Sequence, residues 1–269
     1  MSNWTLLQFD AASGLLAAAY YQPSAADLHD IEVVTGRAYD WYAIANVGDV
    51  RSQFTVGAST ASAMAAWFAT GFDMRSASAL PMAWKGVGIT FSTPDLAAGR
   101  KLEISLTRLV ACYGIKVDKS ALHKYAFQVS GATIEGPASV RPFSESKGTD
   151  VATTTDAASP ADVSRLNSGD PACFFAAENC YGELPIDDPD SKKPACLGDG
   201  DHPTFVEING MATLLDGSGL TFPARYRFYL GTNATSNFDV IRNTENTVTL
   251  LLSDAKLDAA RDERVAVHD

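Results

Sequence analysis

Lys101-Leu102-Glu103-Ile104-Ser105-Leu106-Thr107-Arg108-Leu109-Val110-Ala111-Cys112-Tyr113-Gly114-Ile115-Lys116-Val117 is the stretch from which the fold is read. Up to Leu106 the apolar side chains fall on even positions; from Leu109 through Ala111, Tyr113, Ile115 and Val117 they fall on odd ones. A period of two places one face of an extended strand against a core. The phase slips by one near Arg108, as a β-bulge or bend would require if both halves are to keep facing that core. A long bent strand of this kind suits a β-sandwich in which one strand serves both sheets.

The same alternation recurs on either side. Strands are expected over 4–9, 15–21, 31–34, 39–45, 86–91, 125–129, 204–208, 224–230 and 246–252. Turn residues separate them, among them Thr35-Gly36, Val47-Gly48-Asp49, Asn209-Gly210 and Asp216-Gly217. One helix is expected over 59–69, capped by Ser59 or Thr60, with Met64 spaced to meet Trp67 and Phe68. A helical turn is expected at 120–124. The stretch 142–170 is small, polar and poorly patterned and reads as a linker or long surface loop. The expected fold is therefore all-β, with two β-sandwich domains in tandem and one or two short helices. The N-terminal domain is expected over 1–143 and the C-terminal domain over 144–269.

Composition excludes several functions. The chain has 269 residues, 46% of them hydrophobic, and a net charge of −11. That is ample apolar mass for two cores. So acidic a surface repels phosphate backbones and anionic membranes, so no nucleic-acid partner is expected. No run approaches the roughly 18 consecutive apolar residues that a membrane-spanning helix needs. The opening residues, Met1 to Asp10, lack the basic start and unbroken apolar run of a signal peptide. Because they lead straight into strand-like sequence, the chain is expected to begin partway into a longer natural one.

The chemistry-bearing residues are few and scattered. His29, His123, His202 and His268 lie outside any metal-binding spacing, and no nucleophile elbow or phosphate-binding glycine loop is present. No catalytic residue, cofactor or enzymatic activity is expected. Asp187, Asp188, Asp190, Asp199 and Asp201 are weak candidates for calcium oxygens, with Lys192 and Lys193 in the same loop opposing a cation. Of the four cysteines, Cys180–Cys196 or Cys173–Cys196 would staple that loop, and free thiols remain an alternative. A zinc set of Cys173, Cys180, Cys196 and His202 lacks the tight Cys pairs of structural sites. Tyr20, Tyr21, Tyr39, Trp41 and Tyr42 would form a sugar platform if exposed, but a tryptophan on a central strand more often fills a core.

Several segments together resemble the fimbrillin family of gut and oral Bacteroidetes. The first half carries 6–10 (Leu-Leu-Gln-Phe-Asp), 42–49 (Tyr-Ala-Ile-Ala-Asn-Val-Gly-Asp) and 106–111 (Leu-Thr-Arg-Leu-Val-Ala). The second half adds Glu178-Asn179 with Gly182, then Tyr226 to Gly231, then Asn237 to Thr244. They stand in the family's order and cover most of the chain. Asn246 departs from the pattern, since the family often has an aromatic there. The resemblance implies transthyretin-like sandwiches, export to the cell surface with outer-membrane association through an upstream lipoprotein signal, and polymerisation by β-strand exchange. Other fimbrial subunits, joined head to tail, are the implied partners, with host glycans or proteins as further ones. The leading expectation is a non-enzymatic structural or adhesive subunit of a fimbria. The alternative is a cell-surface module that binds carbohydrate or host protein.

Overall fold

The computed structural model describes residues 1–28, 31–72, 74, 79–148, 152–187, 192–193, 197–198 and 200–265, the side chains of 261–265 excepted. It is mostly β-sheet, and among the described residues twelve strands form three sheets. The chain divides into two compact units. The first holds Met1–Val110 and Ala138–Ser146, and the second holds Ala111–Pro137 and Lys147–Asp269.

The first unit is built on one five-stranded antiparallel sheet. Its strands are β1 (Trp4–Asp10), β2 (Leu16–Gln22), β3 (Ala38–Ala45), β4 (Met82–Thr90) and β5 (Thr107–Arg108), in the order β2-β1-β3-β4-β5. β1 is buried at every residue, because it lies inside the sheet and both faces are covered. Leu6, Trp41, Ala43 and Phe91 belong to a cluster on one face; Leu7, Phe9, Tyr42 and Met64 form another on the opposite face. Met64 comes from α1 (Ala61–Ala66), whose cap is Thr60, its hydroxyl accepting from the Ala63 N–H. β3 ends in a turn with Asn46 at φ 65° and Gly48 at φ 80°, where an asparagine and a glycine carry the left-handed backbone at least cost. The Asn46 amide then bonds the Leu80 carbonyl at 2.7 Å, fixing the turn to the approach of β4.

The second unit is a two-sheet sandwich. β6 (Val110–Ala121, all but Val110 in this unit), β7 (Tyr125–Pro137), β8 (Thr153–Ala157), β9 (Ala172–Ala177), β10 (Phe205–Leu214), β11 (Thr221–Tyr229) and β12 (Glu245–Ser253) make it. One sheet runs β11-β10-β7-β8 and the other β12-β6-β9. Tyr113, Ile115 and Val117 from the second sheet share a buried core with Phe127, Val129, Val206 and Ile208 from the first. β12 lies parallel to β6, with Glu245 opposite Cys112, a pairing that requires a crossover and cannot come from a hairpin. Cys112 and Cys173 form a disulfide between the neighbouring strands β6 and β9, their Cα atoms 6.3 Å apart. Closing that loop, whose ends are 61 residues apart in sequence, is worth about 4 kcal/mol in the chain-entropy picture. α4 (Asp254–Val265) seats Leu257 in the core, and Asp254 accepts from the His123 and Lys124 N–H groups.

Four expectations are corrected. The division into 1–143 and 144–269 gives way to an interleaved one, since 111–137 lies in the second unit and 138–146 returns to the first. The phase slip at Arg108 is no bulge within a shared strand. It is the point where the chain leaves β5 in one unit and starts β6 in the other. Residues 31–34 and 101–106 join no strand ladder. The polar stretch 142–170 holds β8 and α3 (Pro160–Ser168), a helix with a Ser159–Asp162 capping box and Gly169 at φ 78° beyond its end.

Candidate functional site

The first unit contains a groove of about 710 Å³ over one face of its sheet. That volume lies within the range of ligand clefts, roughly 300–1,000 Å³. Trp4, Leu6 and Trp41 belong to its lining, with one wall from 25–28, 31 and 33 and the other from 99–104 and 106. Charge along the rim is mixed, with Asp27 and Glu103 beside Arg100 and Lys101.

The two walls are held in different ways. The first is tied down by side chains of the sheet. Trp4 Nε1 donates to the Ala26 carbonyl at 3.2 Å and Gln8 Nε2 to the Glu32 carbonyl at 3.1 Å. The Glu32 N–H donates to Tyr20 Oη and the Val34 N–H to Tyr39 Oη, each at 3.2 Å. Burial raises the Tyr20 hydroxyl above its ordinary pKa.

The second wall is tied to the sheet near its start, where Arg100 Nη1 donates to the Thr90 carbonyl at 3.3 Å. β5 pairs with β4 at only two positions, Met82 with Arg108 and Ala83 with Thr107, and the preceding residues peel away. Lys101, Glu103 and Ser105 are exposed, whereas Leu102, Ile104 and Leu106 are half-buried against the core. Among the described residues the backbone of 101–106 makes no hydrogen bond. Trp41 is wholly buried, and its Nε1–H has no acceptor among the described residues. Buried donors are almost always paired, so this one is an exception that calls for a physical reason.

In the second unit the recognised segments meet each other. Asn179 and Val240 exchange backbone hydrogen bonds of 3.0 and 2.9 Å. Beside them Glu178 and Arg242 form a mostly buried ion pair, with Nε to Oε1 at 2.6 Å. Asp239 Oδ1 accepts from the N–H groups of Tyr181 and Gly182, both at 2.6 Å. The Asn179 side chain accepts from the Gly148 N–H at 2.7 Å and donates to the His202 carbonyl at 2.9 Å. Gly231 is required here, since a Cβ on it would stand 1.8 Å from the Asn237 carbonyl oxygen. Lys192 is nearly enclosed, donating to the Asn233 carbonyl at 3.0 Å above the Phe238 ring. Burial pushes its amine down to about 8, against a smaller upward pull from Asp239.

The remaining sequence candidates are dispersed. Asp201 faces Lys147 at 3.4 Å and accepts from the Gly198 N–H, and Asp187 is exposed. Asp188, Asp190, Asp199 and Cys196 lie outside the described residues, as do His29 and His268. Among the described residues no three potential ligands gather around a metal position. Cys173 is bound to Cys112, so it is unavailable both to a Cys173–Cys196 staple and to a zinc set. Cys180 Sγ lies 3.8 Å from the Val240 carbonyl oxygen. Trp41 is a core residue, so the aromatic cluster around it is no exposed sugar platform. The groove itself was missed because its second wall has the sequence pattern of an ordinary strand.

The fold is that of a group of solved fimbrial and adhesion-type proteins from Bacteroidetes. A candidate cell adhesion protein of Parabacteroides distasonis is 16% identical, covering 95% of this chain and 80% of its own, with a TM-score of 0.61. The tip fimbrial protein Mfa3 of Porphyromonas gingivalis is 12% identical over 94% of this chain and 90% of its own, with a TM-score of 0.54. A fimbrial assembly protein of Parabacteroides distasonis is 15% identical over 95% and 85%, with a TM-score of 0.51. Residues 174–250, which include the Glu178–Arg242 junction, match a family described as a domain of unknown function, DUF4906. No curated relative matches the sequence. No helix among the described residues is long and apolar enough to cross a membrane.

Proposed function

We infer that this chain is a non-enzymatic structural or adhesive subunit of a bacterial cell-surface fimbria, joined to other subunits head to tail by β-strand exchange. The observation that carries this reading is the groove of the first unit, which combines an apolar floor with a wall, 101–106, whose backbone makes no hydrogen bond among the described residues. An apolar small molecule would cover the floor and leave the backbone groups unmet. An added strand supplies side chains to the floor and backbone partners to the wall together. A groove on one subunit filled by a strand of the next is a heterologous contact, and such contacts build open filaments. The fold shared with the tip protein Mfa3 supports the same reading. A location on the outer surface, reached through an upstream export signal, belongs to this proposal. Native mass spectrometry of material sheared from the producing bacterium tests it. The reading expects the chain in multi-subunit species, and a strictly monomeric secreted form contradicts it.

A further inference from the structure

We propose that the Cys112–Cys173 bond is a redox-sensitive latch on the edge strand β9: a dithiol opens it in the folded protein by attack at Cys173, and opening frees the start of β9 while the core of the second unit stays intact. The inference is independent of how subunits are joined.

The strand alternation places the bond. Cys112 lies between Ala111 and Tyr113, and Cys173 between Ala172 and Phe174, and all four neighbours are buried in the core. Side chains alternate across a strand, so both cysteines are on the face turned away from that core. Cys173 is exposed and Cys112 is half-buried. Glu245, exposed and opposite Cys112 on β12, sets a negative charge beside that sulfur and repels an anionic nucleophile. An incoming thiolate therefore reaches Cys173 first, and exposed disulfides are the exchangeable ones.

The position in the fold gives the consequence. β9 stands last in the order β12-β6-β9, so among the described residues β6 is its only sheet neighbour. Its far end runs into Glu178 and Asn179, which Arg242 and Val240 hold. Its near end is tied by the disulfide and by Arg165, an exposed residue whose Nε donates to the Pro171 carbonyl at 2.9 Å. Ala172, Phe174 and Ala176 belong to the core whether the bond is closed or open, which confines the change to the strand's start. In the opening step the thiolate bonds to Cys173 Sγ as the Cys112–Cys173 bond breaks, and Cys112 leaves as a thiolate that takes a proton from water. The dithiol's second thiol then closes its own disulfide and releases Cys173. Two electrons pass from dithiol to protein, so the stiffness of this edge follows the redox state of the surroundings.

Reduction of the full chain by dithiothreitol without denaturant, followed by thiol alkylation and peptide mapping, tests the latch. Cys112 and Cys173 should become alkylated at a rate proportional to the dithiol concentration, with the near-ultraviolet circular dichroism retained. Alkylation that waits for global unfolding, or loss of that signal on reduction, overturns the proposal. Amide hydrogen exchange over 172–175 should be roughly thirtyfold faster or more in the reduced chain, with 206–212 still protected; unchanged exchange over 172–175 overturns the latch. The chain carrying both Cys112→Ser and Cys173→Ser should exchange fast there with or without dithiothreitol, and a response to the reagent would assign the effect to other cysteines and overturn it too. A neutral monothiol, mercaptoethanol, trapped by acid quenching, should be found on the peptide containing Cys173; adducts on the Cys112 peptide instead would overturn the point of attack.

Discussion

The two units solve the same problem differently. The second closes its core between two hydrogen-bonded sheets, cross-links neighbouring strands through Cys112–Cys173, and braces one end with the Glu178–Arg242 pair. Among the described residues the first has one sheet, and one of its faces is covered partly by chain that joins no ladder. Apolar burial alone can cover a face, because the hydrophobic effect is non-directional. Backbone groups demand directional partners, and in the first unit those of 101–106 have none among the described residues. The difference lies in how the faces are closed, by ladders and a disulfide in the second unit and partly by chain outside any ladder in the first.

Mutations can break or sharpen that contrast. The largest effects belong to the closed unit. Ile115→Ala, at a fully buried position, should cost about 2–5 kcal/mol, read from the shift of the denaturant midpoint. Glu178→Ala leaves the Arg242 guanidinium without its main partner in a mostly buried site and should cost about 3–5 kcal/mol. Reduction of Cys112–Cys173 should lower stability by about 2–4 kcal/mol, checked by calorimetry with and without reductant. Equal losses from Ile104→Ala would erase the contrast. That half-buried wall residue should cost less than about 1.5 kcal/mol, since it removes less apolar surface from water than a fully buried one.

The smallest effect is electrostatic and belongs to the first unit. The Arg37 guanidinium beside Asp10, with the Ser13 hydroxyl and N–H, holds the Asp10 carboxyl well below the usual carboxylate range. A depressed carboxylate stabilises the fold above its unfolded pKa, near 4, and that stability is lost as pH falls below it. The first unit should therefore weaken as the pH drops below about 4. Arg37→Ala should flatten that dependence in thermal melts taken across the range.

Much of the β-architecture is legible in the sequence because strands with one wet face alternate. Trp4 to Phe9, Tyr39 to Ala45 and Asn246 to Leu252 all lie within strands, and the Asn46–Gly48 turn stands where its residue types place it. Pattern could not separate pairing from mere alternation: Leu102, Ile104 and Leu106 alternate as strand residues do, yet their backbone makes no hydrogen bond among the described residues. It also could not show that a one-residue phase slip marks a change of unit, because alternation records a buried face and not which core buries it. α3 was legible but overlooked. Ser159-Pro160-Ala161-Asp162 with Gly169 is a complete set of start and stop signals inside a stretch dismissed for its polarity. The pairing of Glu178 with Arg242 joins residues 64 apart, a distance at which spacing carries no signal.

The central claim is that the open groove of the first unit is where another subunit is joined. Cross-linking mass spectrometry of intact surface material, with an amine-reactive reagent, tests it most directly, because Lys101 stands exposed on the groove wall. The account predicts cross-links from Lys101 to a second subunit. Lys101 modified only by singly reacted reagent, in assemblies whose inter-subunit links all arise from the second unit, would contradict it.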